Sequence, residues 1–210
     1  MAETTVQNGR AARPVARFVA IGLFLMAFFT LLCASWSLYG LPVAGGVALV
    51  VIFSVLAVIF VINGVQLLRS AGRLPVPTGD DSNRQGRALR IGFTVTFASE
   101  GVIIGVVCAL LIVNGAYEYL APAIALVVGL HFIPLGFIFH RTIDFYIAGW
   151  VVAWALLGFW LINSETVAAP LVASIVGIAA ACSTTAYGVY MLRVKRAILA
   201  ALPQSGHTTS

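Results

Sequence analysis

Charge is what this chain has least of. Only 9% of its 210 residues are Asp, Glu, Lys or Arg, against about 25% in soluble domains, and that scarcity excludes a water-soluble globular fold. Histidine is nearly absent too. His131 and His140 stand ~13 Å apart along one helix and His207 lies in the C-terminal tail, so neither a zinc hydrolase with three protein ligands nor a haem held by two histidines can be assembled. Cys33, Cys108 and Cys182 each fall singly in an apolar segment, with no CxxC. They read as small buried hydrophobes and say nothing of redox compartment. There is no nucleophile elbow, no glycine-rich phosphate loop and no lysine inside an expected span to form a Schiff base. No metal or cofactor is therefore expected, and an enzyme is the weaker expectation.

What remains is hydrocarbon. Apolar residues make up 61% of the chain and mean hydropathy is +1.04, which places it among polytopic membrane proteins, with length for one compact bundle. The excess of basic residues, 12 Lys+Arg against 7 Asp+Glu, would suggest nucleic acid in a soluble protein. Here those residues flank apolar runs and act as topology signals, so the lipid bilayer is the expected partner and nucleic acid is not.

Six apolar runs predict six transmembrane helices in an all-α fold. Helix 1 is expected from Phe18 to Tyr39, too long for the core of a signal peptide. Gly40, Leu41 and Pro42 make a tight turn into helix 2, which stops at Leu68 before Arg69. Ser70 to Ala88 reads as the one substantial loop, in which Asp80, Asp81 and Ser82 could cap a short juxtamembrane helix. Helices 3 to 6 are expected at Leu89–Gly115, Tyr119–His140, Phe145–Ile162 and Val167–Leu192. The chain thus divides into an N-terminal arm (1–17), a membrane domain (18–196) and a tail (197–210) with the composition of unstructured chain.

The basic residues separate completely by side. All of them fall in the N-terminal arm, the 2–3 loop and its flanks, the 4–5 turn or the C-terminal end, while the turns after helices 1, 3 and 5 carry only Glu118 and Glu165. The positive-inside rule then puts both termini in the cytoplasm. Helices 2, 4 and 6 also share an ending, Gly-four residues-Arg, at Gly64, Gly136 and Gly188, and each begins at or just after a proline. Two readings are open: three helical hairpins of common descent, or the ordinary preference for glycine near a helix end and arginine at the cytoplasmic boundary.

Glu100 and His131 stand out. Glu100 lies ten residues after Arg90 and His131 ten before Arg141. If both arginines mark one membrane face, each titratable group sits ~15 Å inside it, near the midplane of a ~30 Å core, on antiparallel neighbours. A carboxylate there costs on the order of 3 kcal/mol unless it is neutral, hydrated or paired. A Glu–His couple can share a proton and titrate as a unit, or can simply hydrogen-bond helix 3 to helix 4. Pro134, one turn from His131, is expected to kink helix 4 and free the Leu130 carbonyl, a recurring way to build an ion or substrate site. Ser183 and Thr184 on helix 6 lie at the same depth, and Asn63 and Gln66 on helix 2 could extend a polar track towards Glu100. Trp36, Tyr39, Tyr117, Tyr119 and Trp160 fall near the outer helix ends as an interfacial belt.

The stretch Val128 to Gly149, with GLHFIPLGFIFHR at its head, resembles the His-Phe-x-Pro segment of a family of small bacterial six-helix integral membrane proteins of unknown function. That resemblance implies a bacterial inner-membrane location and emphasis on His131, Phe132 and Pro134. It implies no reaction, and Glu100 lies outside it.

Two functions of different class follow. One is a small transporter or channel in which Glu100 and His131, with Ser183, Thr184, Asn63 and the Pro134 break, bind a proton, cation or small polar solute. The other is a structural or accessory membrane protein whose polar pair fixes packing and whose basic faces bind anionic lipid. An intramembrane hydrolase using Glu100 as base is a distant third. A narrow bundle of this kind is also compatible with a homodimer.

Overall fold

The computed structural model describes residues 12–72 and 80–200, apart from the side chains of 12, 80–86 and 88–90. All of the long elements are helices: α1 (Ala12–Ser35, continued after Trp36 by the single turn Ser37–Gly40), α2 (Val43–Ala71), α3 (Asp80–Val113), α4 (Leu120–Phe139), α5 (Thr142–Asn163) and α6 (Ala169–Ala200). Each contributes to a helical segment of at least 22 residues, Tyr117–Phe139 in the case of α4, with an apolar window of mean hydropathy 1.6 or more, long and apolar enough to cross a bilayer. This is a multi-pass all-α membrane protein. A helix satisfies its own backbone hydrogen bonds, which lipid cannot do for it.

Three helix ends run well past the sequence expectation, while the end of α3, both ends of α4 and the start of α6 fall one or two residues inside it. α1 starts at Ala12 instead of Phe18, α3 at Asp80 instead of Leu89, and α6 runs on to Ala200 past Leu192. Hydropathy marks where a helix leaves hydrocarbon, whereas the helix itself continues into water for as long as propensity and tertiary contacts allow. The expected short juxtamembrane helix is therefore the first part of α3, and the side chains of its proposed cap, Asp80, Asp81 and Ser82, lie outside the described residues, as do the arm before Ala12 and the tail after Ala200. The longer α6 brings a lysine into a helical span after all. Lys195 is only 6% exposed and donates to Asn63 Oδ1 and Gln66 Oε1 of α2, each at 2.8 Å.

α1 and α6 form the centre. α1 packs closely on α2 and on α6, α4 packs on α5 and α3, and α5 closes onto α6. Half of the apolar window of α6 is buried, against 6% of that of α3, so α3 is the peripheral helix. Its Gly101 and Gly105 have nothing packed on them. The three glycines of the shared helix ending do one local job, receiving a phenylalanine ring: Phe24 at Gly64, Phe145 at Gly136 and Phe60 at Gly188. Those rings come from α1, α5 and α2, which are not equivalent positions in a three-hairpin order.

Two devices fix the ends. Arg13 donates from Nε to the Ala71 carbonyl (3.1 Å) and from Nη2 to that of Gly72 (2.8 Å), so the start of α1 supplies donors to the last carbonyls of α2. At the other end Ser174, fully buried, accepts from the Gly40 amide at 2.9 Å and donates to the Trp36 carbonyl at 2.9 Å. Gly40 is required there, because a Cβ would run into the backbone of Pro170 and Leu171. Ser174→Ala takes the side-chain partner from the Gly40 amide at the break in the first span, while the Trp36 carbonyl keeps the Tyr39 amide, and should cost about 1 kcal/mol. Thermal unfolding of the detergent-solubilised protein measures it, and a change within error would show that water replaces the hydroxyl.

Candidate functional site: a cavity holding Glu100 and His131

Four helices, α1, α3, α4 and α6, with Val151 of α5, line a cavity of about 330 Å³, at the lower end of the size range of ligand sites. It runs along α1 from Phe18 to Trp36, ~27 Å at 1.5 Å per residue. Large apolar side chains make most of the wall because these helices carry hydrophobic residues all round, with no polar face to turn inward.

The polar pair sits in this wall. His131 Nε2 approaches Glu100 Oε2 to 3.4 Å, with 7% and 6% of the two side chains exposed. This is longer than a standard hydrogen bond and within ion-pair range. α3 and α4 are antiparallel neighbours, so the equal spacing of the two residues from Arg90 and Arg141 becomes equal depth. The Thr96 carbonyl, one turn before Glu100, also lies against the imidazole, and the Phe97 ring meets it edge-on with centroids 6.0 Å apart. A carboxylate and an imidazole held this closely can share or pass a proton, or present one donor and one acceptor to a guest.

Ser183 and Thr184 line the cavity from α6, but their hydroxyls are already engaged. Ser183 Oγ donates to the Ala180 carbonyl at 2.7 Å, and Thr184 Oγ1 lies 3.0 Å from that of Ala181 and 2.9 Å from Thr30 Oγ1 on α1. They offer lone pairs, not free donors. They thus line the cavity and bond back to their own helix at once. The other two candidates are elsewhere. Asn63 serves Lys195 at the α2–α6 contact, so no polar track joins it or Gln66 to Glu100. Pro134 does not line the cavity: α4 runs unbroken through it, and it is exposed on the outer face beside Leu130 and Ile133.

One end of the cavity carries a polar cluster that sequence reasoning treated only as a turn. Arg141 Nη1 donates to the Tyr187 hydroxyl at 3.3 Å, and its guanidinium lies 5.0 Å from the Phe139 ring centroid. Asp144, in the first turn of α5, is fully buried beside them. Neither carboxylate oxygen has a partner at full hydrogen-bond geometry, although Tyr187 and Arg141 are its electrostatic neighbours. The Arg141-x-x-Asp144 spacing across a helix start was the available signal. Among the described residues no three His, Cys, Asp or Glu side chains gather as a metal site.

The chain matches no protein-family model, no curated protein and no solved structure. Its functional reading therefore comes from the geometry alone.

Proposed function

We propose that the protein is a small integral membrane transporter or channel that handles a proton, cation or small polar solute through Glu100 and His131. The observation that carries this reading is the placement of two titratable side chains, 3.4 Å apart, in the wall of a 330 Å³ cavity. Intramembrane ionisable groups are rare and, by default, functional. In this reading both termini are cytoplasmic, the membrane is a bacterial inner membrane as the His-Phe-x-Pro resemblance implies, anionic lipid covers the basic faces, and a homodimer is the oligomer to look for. Proton or solute flux into liposomes, compared between wild type and Glu100→Gln, tests it.

A second reading has its own observation. Apolar cavities stay dry, and the hydroxyls of Ser183 and Thr184 are bonded within the protein. An accessory protein whose Glu–His contact joins α3 to α4 would have this interior. The topology is checked separately: tags after Ser210 and near Gly79 should be cytoplasmic, and tags near Glu118 and Glu165 on the opposite side. Any one of the four on the wrong side breaks the six-span arrangement with internal termini.

A further inference from the structure

The cavity is chemically divided, and Glu100–His131 marks the division. At and beyond the pair towards Arg141 the wall carries the rings of Phe29, Phe93, Phe97, Phe132, Phe139 and Tyr187, set among aliphatic side chains such as Leu25 and Leu135. Phe29, Phe93, Phe97 and Phe139 form one group of rings, with centroids 5.6 Å apart for Phe93–Phe97, 6.2 Å for Phe29–Phe97 and 6.3 Å for Phe93–Phe139, and the Phe132–Tyr187 pair, at 5.8 Å, joins it through the His131 ring. Towards Trp36 the wall becomes aliphatic and small, with Ile104, Ile124, Val128, Val176 and Ala180. Away from the pair such walls offer a guest apolar contact rather than oxygen ligands.

The side of the cavity between α1 and α3 is closed by side chains. The two helices meet through ring contacts, Phe18 with Phe93 at 6.4 Å and Phe29 with Phe97 at 6.2 Å, and are not among the closely packed helix pairs. Ile21 and Leu32 of α1 line the cavity and are also 47% and 46% exposed on the lipid-facing surface. A side closed by side chains rather than by close helix packing would let a guest dissolved in the bilayer enter without crossing a polar headgroup layer.

We propose that the cavity binds a lipid-soluble compound made of a planar ring carrying carbonyl or hydroxyl oxygens on an aliphatic chain, the chemistry of a quinone or alkylphenol. The ring lies in the aromatic half, where edge-to-face and offset contacts favour it. One oxygen meets the His131–Glu100 pair, whose side chains are more than nine-tenths buried and face this cavity. The chain occupies the aliphatic half, and any length beyond the cavity leaves between α1 and α3. This keeps the pair of the proposed function as the polar contact and names the guest it meets. It does not require flux.

The test is equilibrium binding to the full chain in lipid nanodiscs, with empty nanodiscs subtracted, using decyl-benzoquinone, decylbenzene and decanol as probes. The expected result is saturable binding of the quinone, with decylbenzene and decanol at least about tenfold weaker, the order of one net hydrogen bond or one ring's contacts. His131→Leu should weaken the quinone about tenfold and leave decylbenzene unchanged. Ala180→Leu, which fills the aliphatic half and touches neither polar residue, should weaken all three and covers the case in which His131→Leu does not fold. Binding of the quinone no better than decylbenzene, binding of decanol as tight as the quinone, or no saturable component would each overturn the proposal. Saturable quinone binding without Glu100-dependent flux would remove the transport reading and leave this one standing. Flux without quinone binding would do the reverse.

Discussion

Arg141→Leu is expected to destabilise the protein by about 1–3 kcal/mol, the cost of taking a donor from the Tyr187 hydroxyl and the neighbouring cation from the buried Asp144. Asp144 has no exposed surface, and neither of its oxygens has a well-formed hydrogen bond, so the Tyr187 hydroxyl and, after it, the Arg141 guanidinium are its electrostatic compensation for leaving water. Removing the other member is the milder change. Arg141 is only partly buried, lines the cavity, and keeps the Tyr187 hydroxyl and the face of Phe139 in Asp144→Leu. The double variant Arg141→Leu/Asp144→Leu should be more stable than Arg141→Leu alone, because it no longer buries a carboxylate from which the neighbouring cation has been removed. Thermal unfolding of the three variants in one detergent gives the cycle, and strong non-additivity is its signature. A loss under about 1 kcal/mol for Arg141→Leu would mean that Asp144 is already neutral or hydrated.

That cluster also shows what the sequence could and could not convey. Six spans were legible because each is a long run without charge, and such a run has one stable solution in lipid. Depth was legible as well: counting residues from Arg90 and Arg141 brought Glu100 and His131 to one level, and the structure has them in contact. Rotation about the helix axis was not legible. A helix that is apolar all round has no moment to say which side faces inward, which is why Asn63 was grouped with Glu100 but bonds to Lys195, and why Pro134 faces outward. Long-range partners were hidden for the same reason. Thr30 meets Thr184, Trp150 Nε1 donates to the Ala179 carbonyl, and Ser174 reaches back to Trp36, each across a span boundary that periodicity does not cross.

The buried lysine follows the same logic from the other side. Hydropathy ended helix 6 at Leu192, so Lys195 was read as a cytoplasmic boundary charge. In the structure its ammonium is held by two amide oxygens of α2, which satisfy two of its three donors without neutralising it. Lysine can reach an interface along its flexible stem, and here the amides bring it to the α2–α6 contact instead. Among the described residues the buried charged groups thus lie in three places: the Glu100–His131 pair, the Arg141–Asp144–Tyr187 cluster at one end of the same cavity, and Lys195 outside it.

In liposomes, Glu100→Gln is expected to reduce proton or solute flux to the background of protein-free vesicles and to abolish its pH dependence. Glutamine keeps the shape of the side chain and can still bond to a neutral imidazole, so α3 and α4 should stay joined and the protein should insert and purify as wild type. What it cannot do is take up or release a proton. A Glu–His couple exchanges protons as a unit, with macroscopic steps that belong to both groups. The other titratable or charged groups that line the cavity are Arg141, Tyr187 and Cys33, all unchanged in this variant. His131→Ala separates the two readings from the opposite direction. If the contact only joins helices, this substitution loosens α4 from α3 and lowers stability, while Glu100→Gln changes little. If the pair carries the function, both variants lose flux, and Glu100→Gln does so at wild-type stability. Equal flux and equal pH response in wild type and Glu100→Gln would refute transport through this pair.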